Sequence, residues 1–327
     1  MQPGTATRPL GRSGIELPVL GLGGATIGNL HGPVSAADAA QVLDAAWQHG
    51  LRYFDTAPLY GRGLGELRVG QALRARPRDQ FVLSTKVGWR FQPLARQAAP
   101  AGSLPFAARC DYSREGTLRS LEDSLLRLGL DRIDIAFVHD VDPYNHGEAY
   151  PERLREVLDG ALPTLYELRR QGVVRAVGVG VNDRGVCLDI LRATEVDAFL
   201  LAGRYTLLDR RASDELLPLC RERGVGVVLG APFNTGVLAA GSGPAASAAR
   251  FNHGPVAPDV AARVQAMSRA CARHGTSLMA AALNFPLTDP AVAAVLPGPR
   301  SAAQLEQIAA AFAEPVPDAL WRELAEL

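Results

Sequence analysis

The runs FVLSTK (81–86), IDIAFVH (133–139) and VRAVGVG (174–180) decide the fold. Each is short and apolar over consecutive positions, which leaves no face for water; that is how parallel strands covered by helices on both sides read. Five further runs of the same kind flank them: PVLGLG (18–23), LRYFDT (51–56), AFLLAG (198–203), VGVVLG (225–230) and VAAVLP (292–297). Amphipathic segments lie between them. In SAADAAQVLDAAWQHG, Ser35 is placed to cap the first turn and Gly50 to supply a left-handed stop. SREGTLRSLEDSLLRLG sets Leu118, Leu121, Leu125 and Leu128 on one face, expected to pack on a sheet, and ends at Gly129. Eight strand–helix pairs in a chain of this length predict an α/β fold, a closed (β/α)8 TIM barrel, formed as one domain over residues 1–327. An N-terminal hairpin around Gly14 and an extra C-terminal helix from Asp318 to Glu326 should flank it. A Rossmann sheet is the rival, but GLGGATIGN (21–29) does not fit the GxGxxG spacing.

Composition narrows the function classes. The chain has 327 residues, 47% hydrophobic and 21% charged, with 34 basic residues against 34 acidic ones. A chain of about 300 residues buries roughly three-quarters of its unfolded surface, so core size does not limit stability. Zero net charge, no basic run and no aromatics interleaved with arginines argue against nucleic acid or an anionic membrane as partner. No apolar run reaches the roughly 18 residues a membrane span needs, and the first residues are polar where a signal peptide is apolar, so a cytoplasmic location is expected. Cys110, Cys187, Cys220 and Cys271 are far apart and show no metal-ligand spacing, so neither a metal site nor a disulfide framework is expected.

The three longest irregular stretches, residues 87–112, 140–152 and 231–256, all follow strands. In a barrel they stand over the C-terminal mouth, where active sites of this architecture form. Polar residues at the strand ends point there too. Asp55 ends the second strand, Tyr60 follows five residues later, Lys86 ends the third strand and His139 the fourth. A tyrosine with an ordinary pKa of about 10 needs a nearby cation to act as a base at neutral pH. Lys86 supplies one, Asp55 is its counter-ion, and His139 is suited to orient a substrate oxygen. Taken singly, each has a structural explanation: a loop cap, a packed ring or a plain ion pair. Together they form a catalytic constellation.

These residues lie in motifs that resemble the aldo-keto reductases: LRYFDTAPLYGRGLGELRVGQAL (51–73), STKVG (84–88), DRIDIAFVHD (131–140), VGVGVN (177–182) and LPGPRSAAQLEQ (296–307). The motifs follow the family's order over nearly the whole chain. The resemblance implies a barrel that binds a nicotinamide cofactor in extended form, with Asp55, Tyr60, Lys86 and His139 as the catalytic tetrad and Tyr60 as the proton-transfer residue. For the cofactor it implies Asn182 on the carboxamide, Tyr205 as the stacking aromatic, Asp55 near the ribose and a backbone approach at Gly24. It also implies a pyrophosphate loop in APFNTGVL (231–238), with Ala231 and Phe233. The adenosine end falls on Gly298, Arg300, Gln304 and Gln307. Val181 and the apolar residues near Phe199 and Leu200 depart from the family pattern, leaving fewer side-chain bonds for the carboxamide.

Gly298 and Gln304 stand where members that prefer NADP often carry cations, so between NAD and NADP the former is slightly favoured. Within the family the chain is most similar to bacterial aldose 1-dehydrogenases acting on L-fucose, L-galactose or D-arabinose. The expected substrate is therefore a sugar, held by Tyr60, His139, Trp89 and Asp140 with Tyr112 nearby, and no obligate protein partner is expected. Alternatives are a pyridoxal or general aldehyde oxidoreductase, and a cofactor-sensing accessory subunit.

Overall fold

The computed structural model describes residues 6–30, 32–95, 101–240, 250–252 and 254–327. Eight parallel strands pair in chain order: Leu22–Gly23, Tyr53–Asp55, Val82–Val87, Ile133–His139, Val174–Val181, Ala198–Ala202, Gly226–Gly230 and Val292–Leu296. All eight runs expected to be strands are strands. The first is the shortest, and the sheet closes there: Leu20 bridges Val295, and the Gly21 and Gly23 amides donate to the Val295 and Pro297 carbonyls at 3.0 and 2.9 Å. This is the (β/α)8 barrel that the alternation predicts.

Inside the barrel, Tyr53, Ile135, Phe137, Leu200, Val228 and Leu296 pack against Leu10, Ile15 and Leu17 of the N-terminal hairpin. The hairpin pairs Thr7–Pro9 with Glu16–Pro18, turning through Gly11 and Gly14, and it plugs the N-terminal end. Among the described residues, the C-terminal end is left as the mouth. The larger core lies between strands and helices. Helix Ala36–Gln48 is capped as predicted, Ser35 Oγ accepting from Asp38 N at 3.0 Å, and the chain leaves it through Gly50 at φ 80°. The C-terminal helix is Asp318–Ala325.

Two expectations are corrected. Residues 87–112 are not wholly irregular: Trp89–Pro93 and Phe106–Cys110 form an antiparallel ribbon, while residues 96–100 of that stretch lie outside the described residues. Helix Arg114–Leu128 buries Leu121 and Leu128, but Thr117, Ser120 and Ser124 complete the buried face, and Leu118 and Leu125 lie at its flank. The small side chains permit close approach, and Ser120 Oγ donates to the Trp89 carbonyl of the ribbon at 3.2 Å. Residues 140–152 hold a short helix, Pro143–His146, and the start of another, Tyr150–Glu156. Of the stretch 231–256, residues 241–249 and 253 are outside the described residues.

Candidate active site

Side chains alternate along a strand, so the residue two beyond an interior position also points inward. Tyr53 and Phe137 are interior, and two residues on, at the rim of the mouth, stand Asp55 and His139. On the third strand Ser84 meets Tyr53, Oγ to phenol oxygen 3.1 Å, and Lys86 follows two residues later. The third strand pairs with both the second and the fourth, which brings three predicted site residues to one place.

The Lys86 ammonium donates to Asp55 Oδ2 and Oδ1 at 2.8 and 3.0 Å and to the Thr56 carbonyl at 2.8 Å. Ser84 Oγ donates to Asp55 Oδ1 at 2.7 Å. Burial opposes the charge on Lys86, but Asp55 and Tyr60 outweigh it and hold the ammonium above its ordinary range. Burial also pushes the Asp55 carboxyl up, and Lys86 and Ser84 pull it back. Tyr60 arrives on the loop after the second strand with its ring centroid 4.8 Å from Lys86 Nζ. His139 meets that ring edge to face, centroids 6.0 Å apart.

Here the electrostatics depart from expectation. Lys86 lowers the Tyr60 pKa as anticipated, but burial outweighs it and the phenol is pushed up to about 12. In the protein alone Tyr60 is a neutral acid at physiological pH. His139 is 6% exposed, and burial, then Lys86, hold its pKa well below the usual value, so the imidazole is neutral. Its Nε2 lies 3.5 Å from Asp140 Oδ2, its carbonyl accepts from Tyr112 OH at 2.7 Å, and its Nδ1 is buried without a partner among the described residues. A phenol beside an ammonium and a neutral imidazole can give a proton to a carbonyl oxygen or, as phenolate, take one from an alcohol.

The residues predicted for the cofactor border the same mouth. Gly24 N donates to the Asp55 carbonyl at 2.8 Å, and a Cβ at Gly24 would stand 2.6 Å from that oxygen. Asn182 is exposed just beyond the fifth strand, its carbonyl accepting from Arg204 Nε at 2.7 Å. Ala231, Asn234 and Thr235 all have positive φ, 51°, 46° and 64°, an arrangement in a loop that can aim backbone N–H groups at an anion. Asn234 is buried and tethers this loop to the sixth strand through the Gly203 carbonyl at 3.2 Å; Phe233 packs half-buried beneath it.

Where the adenosine end is expected, Thr26 Oγ1 donates to the Gly298 carbonyl at 2.9 Å, and a Cβ at Gly298 would meet that hydroxyl at 2.7 Å. Arg300 Nη2 donates to the Pro33 carbonyl at 3.0 Å, linking the loops after the eighth and first strands. Gln304 Oε1 accepts from Arg300 N at 2.8 Å, so its side chain serves the start of helix Ala302–Ala313; Gln307 is exposed one turn on.

Two side chains are not where the sequence suggested. Tyr205 is 6% exposed with its ring against Phe285, centroids 5.0 Å apart, in the outer helical layer. That face is covered, which corrects its reading as the stacking aromatic. Tyr112 is fully buried, its hydroxyl bound to the His139 carbonyl and 3.1 Å from His146 Nε2, so it supports the site from behind. Trp89 stacks on His146 at 6.4 Å, and its Nε1 is buried without a partner among the described residues. Sequence reasoning missed Ser84, Thr26, Arg204 and Asn234. Ser84 was within reach, two residues before Lys86 on the same face; the others are placed by contacts between distant loops.

The Aldo/keto reductase family profile matches residues 19–327. A pyridoxal 4-dehydrogenase of Microbacterium luteolum is 38% identical over 97% of this chain and 96% of its own length. A D-threo-aldose 1-dehydrogenase of a Pseudomonas species is 39% identical over 96% and 95%. An aldo-keto reductase from Bacillus halodurans, solved in its holo form, superposes with a TM-score of 0.76 at 26% identity, covering 98% of this chain and 95% of that one. A plugged (β/α)8 barrel with this profile over all but its first residues, and relatives nearly 40% identical end to end, is an oxidoreductase that uses a nicotinamide cofactor: the chain belongs to the aldo-keto reductase family.

Proposed function

We propose that the protein is an aldose 1-dehydrogenase, oxidising the C1 hydroxyl of a sugar of the L-fucose, L-galactose or D-arabinose type to the aldonolactone. The observation that carries the reading is the 39% identity to a D-threo-aldose 1-dehydrogenase over 96% of the chain. The contiguous Asp55, Tyr60, Lys86 and His139 support it. His139, its imidazole neutral, positions O1. Tyr60, as the phenolate that Lys86 stabilises, accepts the O1 proton and becomes the phenol, with Lys86 itself held by Asp55 and the Thr56 carbonyl. The oxidised nicotinamide, when bound, supplies the hydride acceptor and a positive ring that adds to the pull of Lys86 on Tyr60.

The residues present fit that cofactor. The backbone pressed against the second strand at Gly24 leaves no room for a side chain, and the left-handed loop from Ala231 is suited to phosphates. Asn182 would take the carboxamide, and Asp55 adjoins the ribose position. NAD is favoured over NADP. A lysine at 298 would run into Thr26, and Gln304 is engaged at the helix start, so neither supplies a cation for a 2′-phosphate. Arg300 and Gln307 would line that adenosine end and Phe233 belongs to the pyrophosphate loop, with Trp89 and Asp140 on the sugar side.

A second reading has its own support: the pyridoxal 4-dehydrogenase is 38% identical over 97% of the chain. Reduced-nicotinamide formation with NAD and separately NADP, over L-fucose, L-galactose, D-arabinose, D-glucose, pyridoxal and simple alcohols, tests both. Turnover of aldoses that share one configuration at C2 to C4 is expected. Turnover confined to pyridoxal would replace the aldose reading with the second.

A further inference from the structure

The loop after the fourth strand carries two acidic residues whose surroundings differ. Asp142 is consumed by the fold: it is 2% exposed, and Oδ1 accepts from Asn145 N at 2.8 Å and Asn145 Nδ2 at 2.9 Å to cap helix Pro143–His146. Asp140 has no such duty. Among the described residues its carboxylate receives no hydrogen bond, and its one ion contact is His139 Nε2 at 3.5 Å. Its backbone is held at φ 57° by a bond from its N–H to the Gly180 carbonyl at 2.9 Å, which ties it to the fifth strand. Left-handed backbone is uncommon outside glycine and clusters where a side chain must be aimed. The side chain is 20% exposed, at the mouth.

We propose that Asp140 selects the substrate: its carboxylate takes the hydroxyl on the carbon next to the reacting one, while His139 takes the oxygen on the reacting carbon. Vicinal oxygens in a gauche arrangement are spaced comparably to the gap between Oδ2 and Nε2, so one oxygen can sit on each group. The ligand class is a 2-hydroxy aldehyde, its cyclic hemiacetal or the corresponding diol. An under-satisfied acceptor in a half-dry mouth binds a compound that brings a donor and discriminates against one that lacks it. The surroundings agree. Burial first, then Asp142, push the Asp140 carboxyl up to about 7 against the pull of Lys86, so it is a full carboxylate acceptor above neutral pH, where the test is run. The other titratable groups facing it are His139 on its own strand, Tyr60 on the loop after the second strand, Tyr112 just after the ribbon and His146 on the short helix.

This inference rests on the family tetrad and deepens the aldose reading, yet its test does not require a sugar. Glycine is at ease at φ 57°, so Asp140→Gly removes the carboxylate without straining the turn, and Asp140→Asn keeps a neutral acceptor there. Both variants, verified as folded by circular dichroism and cofactor binding, are assayed for reduction of 2-hydroxypropanal against propanal and for oxidation of L-fucose against its 2-deoxy analogue. The wild type should prefer the hydroxylated partner. In Asp140→Gly that preference should fall by roughly 10- to 100-fold, the range of one charge-assisted hydrogen bond, chiefly through KM, with Asp140→Asn in between. Absence of any preference in the wild type, or its survival in Asp140→Gly, overturns the assignment. If no sugar turns over but the aldehyde preference exists and is lost in Asp140→Gly, Asp140 keeps its role and the aldose reading falls.

Discussion

Tyr60 sits in a balance of two opposing effects. Burial raises its pKa and the Lys86 ammonium lowers it, with burial ahead, so the phenol reaches about 12. At neutral pH it is therefore ready as an acid for carbonyl reduction, whereas in oxidation the phenolate fraction grows as pH rises. Removing the hydroxyl while keeping the ring, Tyr60→Phe, should lower turnover by about 10² to 10⁴, the usual loss for an acid–base group, with cofactor affinity retained. Stopped-flow rates together with fluorescence titration check this, and unimpaired turnover would contradict the tetrad. At the far end of the mouth, on the proposed placement of the cofactor, Gln304→Arg adds a cation beside the 2′ position and should raise the NADP to NAD ratio of kcat/KM. It also gives up the bond to Arg300 N, at a stability cost of about 1 kcal/mol. An unchanged ratio would mean that residue 304 does not face the adenosine ribose.

Among the elements, the ribbon Trp89–Pro93 with Phe106–Cys110 forms one wall of the mouth and is anchored from outside the barrel. Arg62 donates to the Phe106 carbonyl, and Asn29 Nδ2 reaches Gly102 O at 2.8 Å. Beneath it Glu66, fully buried on helix Leu64–Leu73, accepts from Thr85 Oγ1 and Arg127 Nε, each at 2.6 Å, and the Arg127 guanidinium lies 5.5 Å from the Phe91 ring centroid. One arginine thus joins two helices, a strand and the ribbon. Arg127→Ala should leave the Glu66 charge buried and unpaired, destabilising the fold by roughly 3–5 kcal/mol. Chemical denaturation measures it, and a loss below about 1 kcal/mol, as for an exposed pair, would refute it. The ribbon was hidden in the sequence because its strands bury little and pair only with each other. Helix Arg114–Leu128 was legible as a helix, but which of its faces is buried depended on Ser120 and Ser124 meeting the ribbon and its neighbours.

Across the whole molecule, two neighbouring groups make stability respond to pH in opposite directions. His139 is held neutral, so below about pH 6.5 the unfolded chain takes a proton that the folded one refuses, and acidification costs stability. Asp140, pushed up to about 7, holds a proton when folded that the unfolded chain gives up above about pH 4, so stability falls as pH rises through that window. Asp140→Asn removes only the second effect. Its Tm relative to the wild type should therefore increase between pH 4 and pH 8, by roughly a few degrees, in differential scanning calorimetry. A difference that does not change with pH would show that Asp140 does not titrate abnormally in the fold. The sequence by itself determined the eight strands, the barrel and the N-terminal hairpin, and it set Asp55, Lys86 and His139 at strand ends; their reading together with Tyr60 as a tetrad came from the resemblance of the motifs to a family. The strands and barrel follow from local periodicity, and the strand-end placements from the two-residue alternation that carries Tyr53 to Asp55 and Phe137 to His139. Only the tertiary structure decided that Tyr205 turns to Phe285, that Tyr112 lies behind His139, that Thr26 closes position 298, and that Asp140 rather than Asp142 keeps its carboxylate uncommitted. The physical reason is that each of these depends on contacts between loops distant in the chain, where the nearest neighbour in space, and not the residue type, sets which atoms remain available.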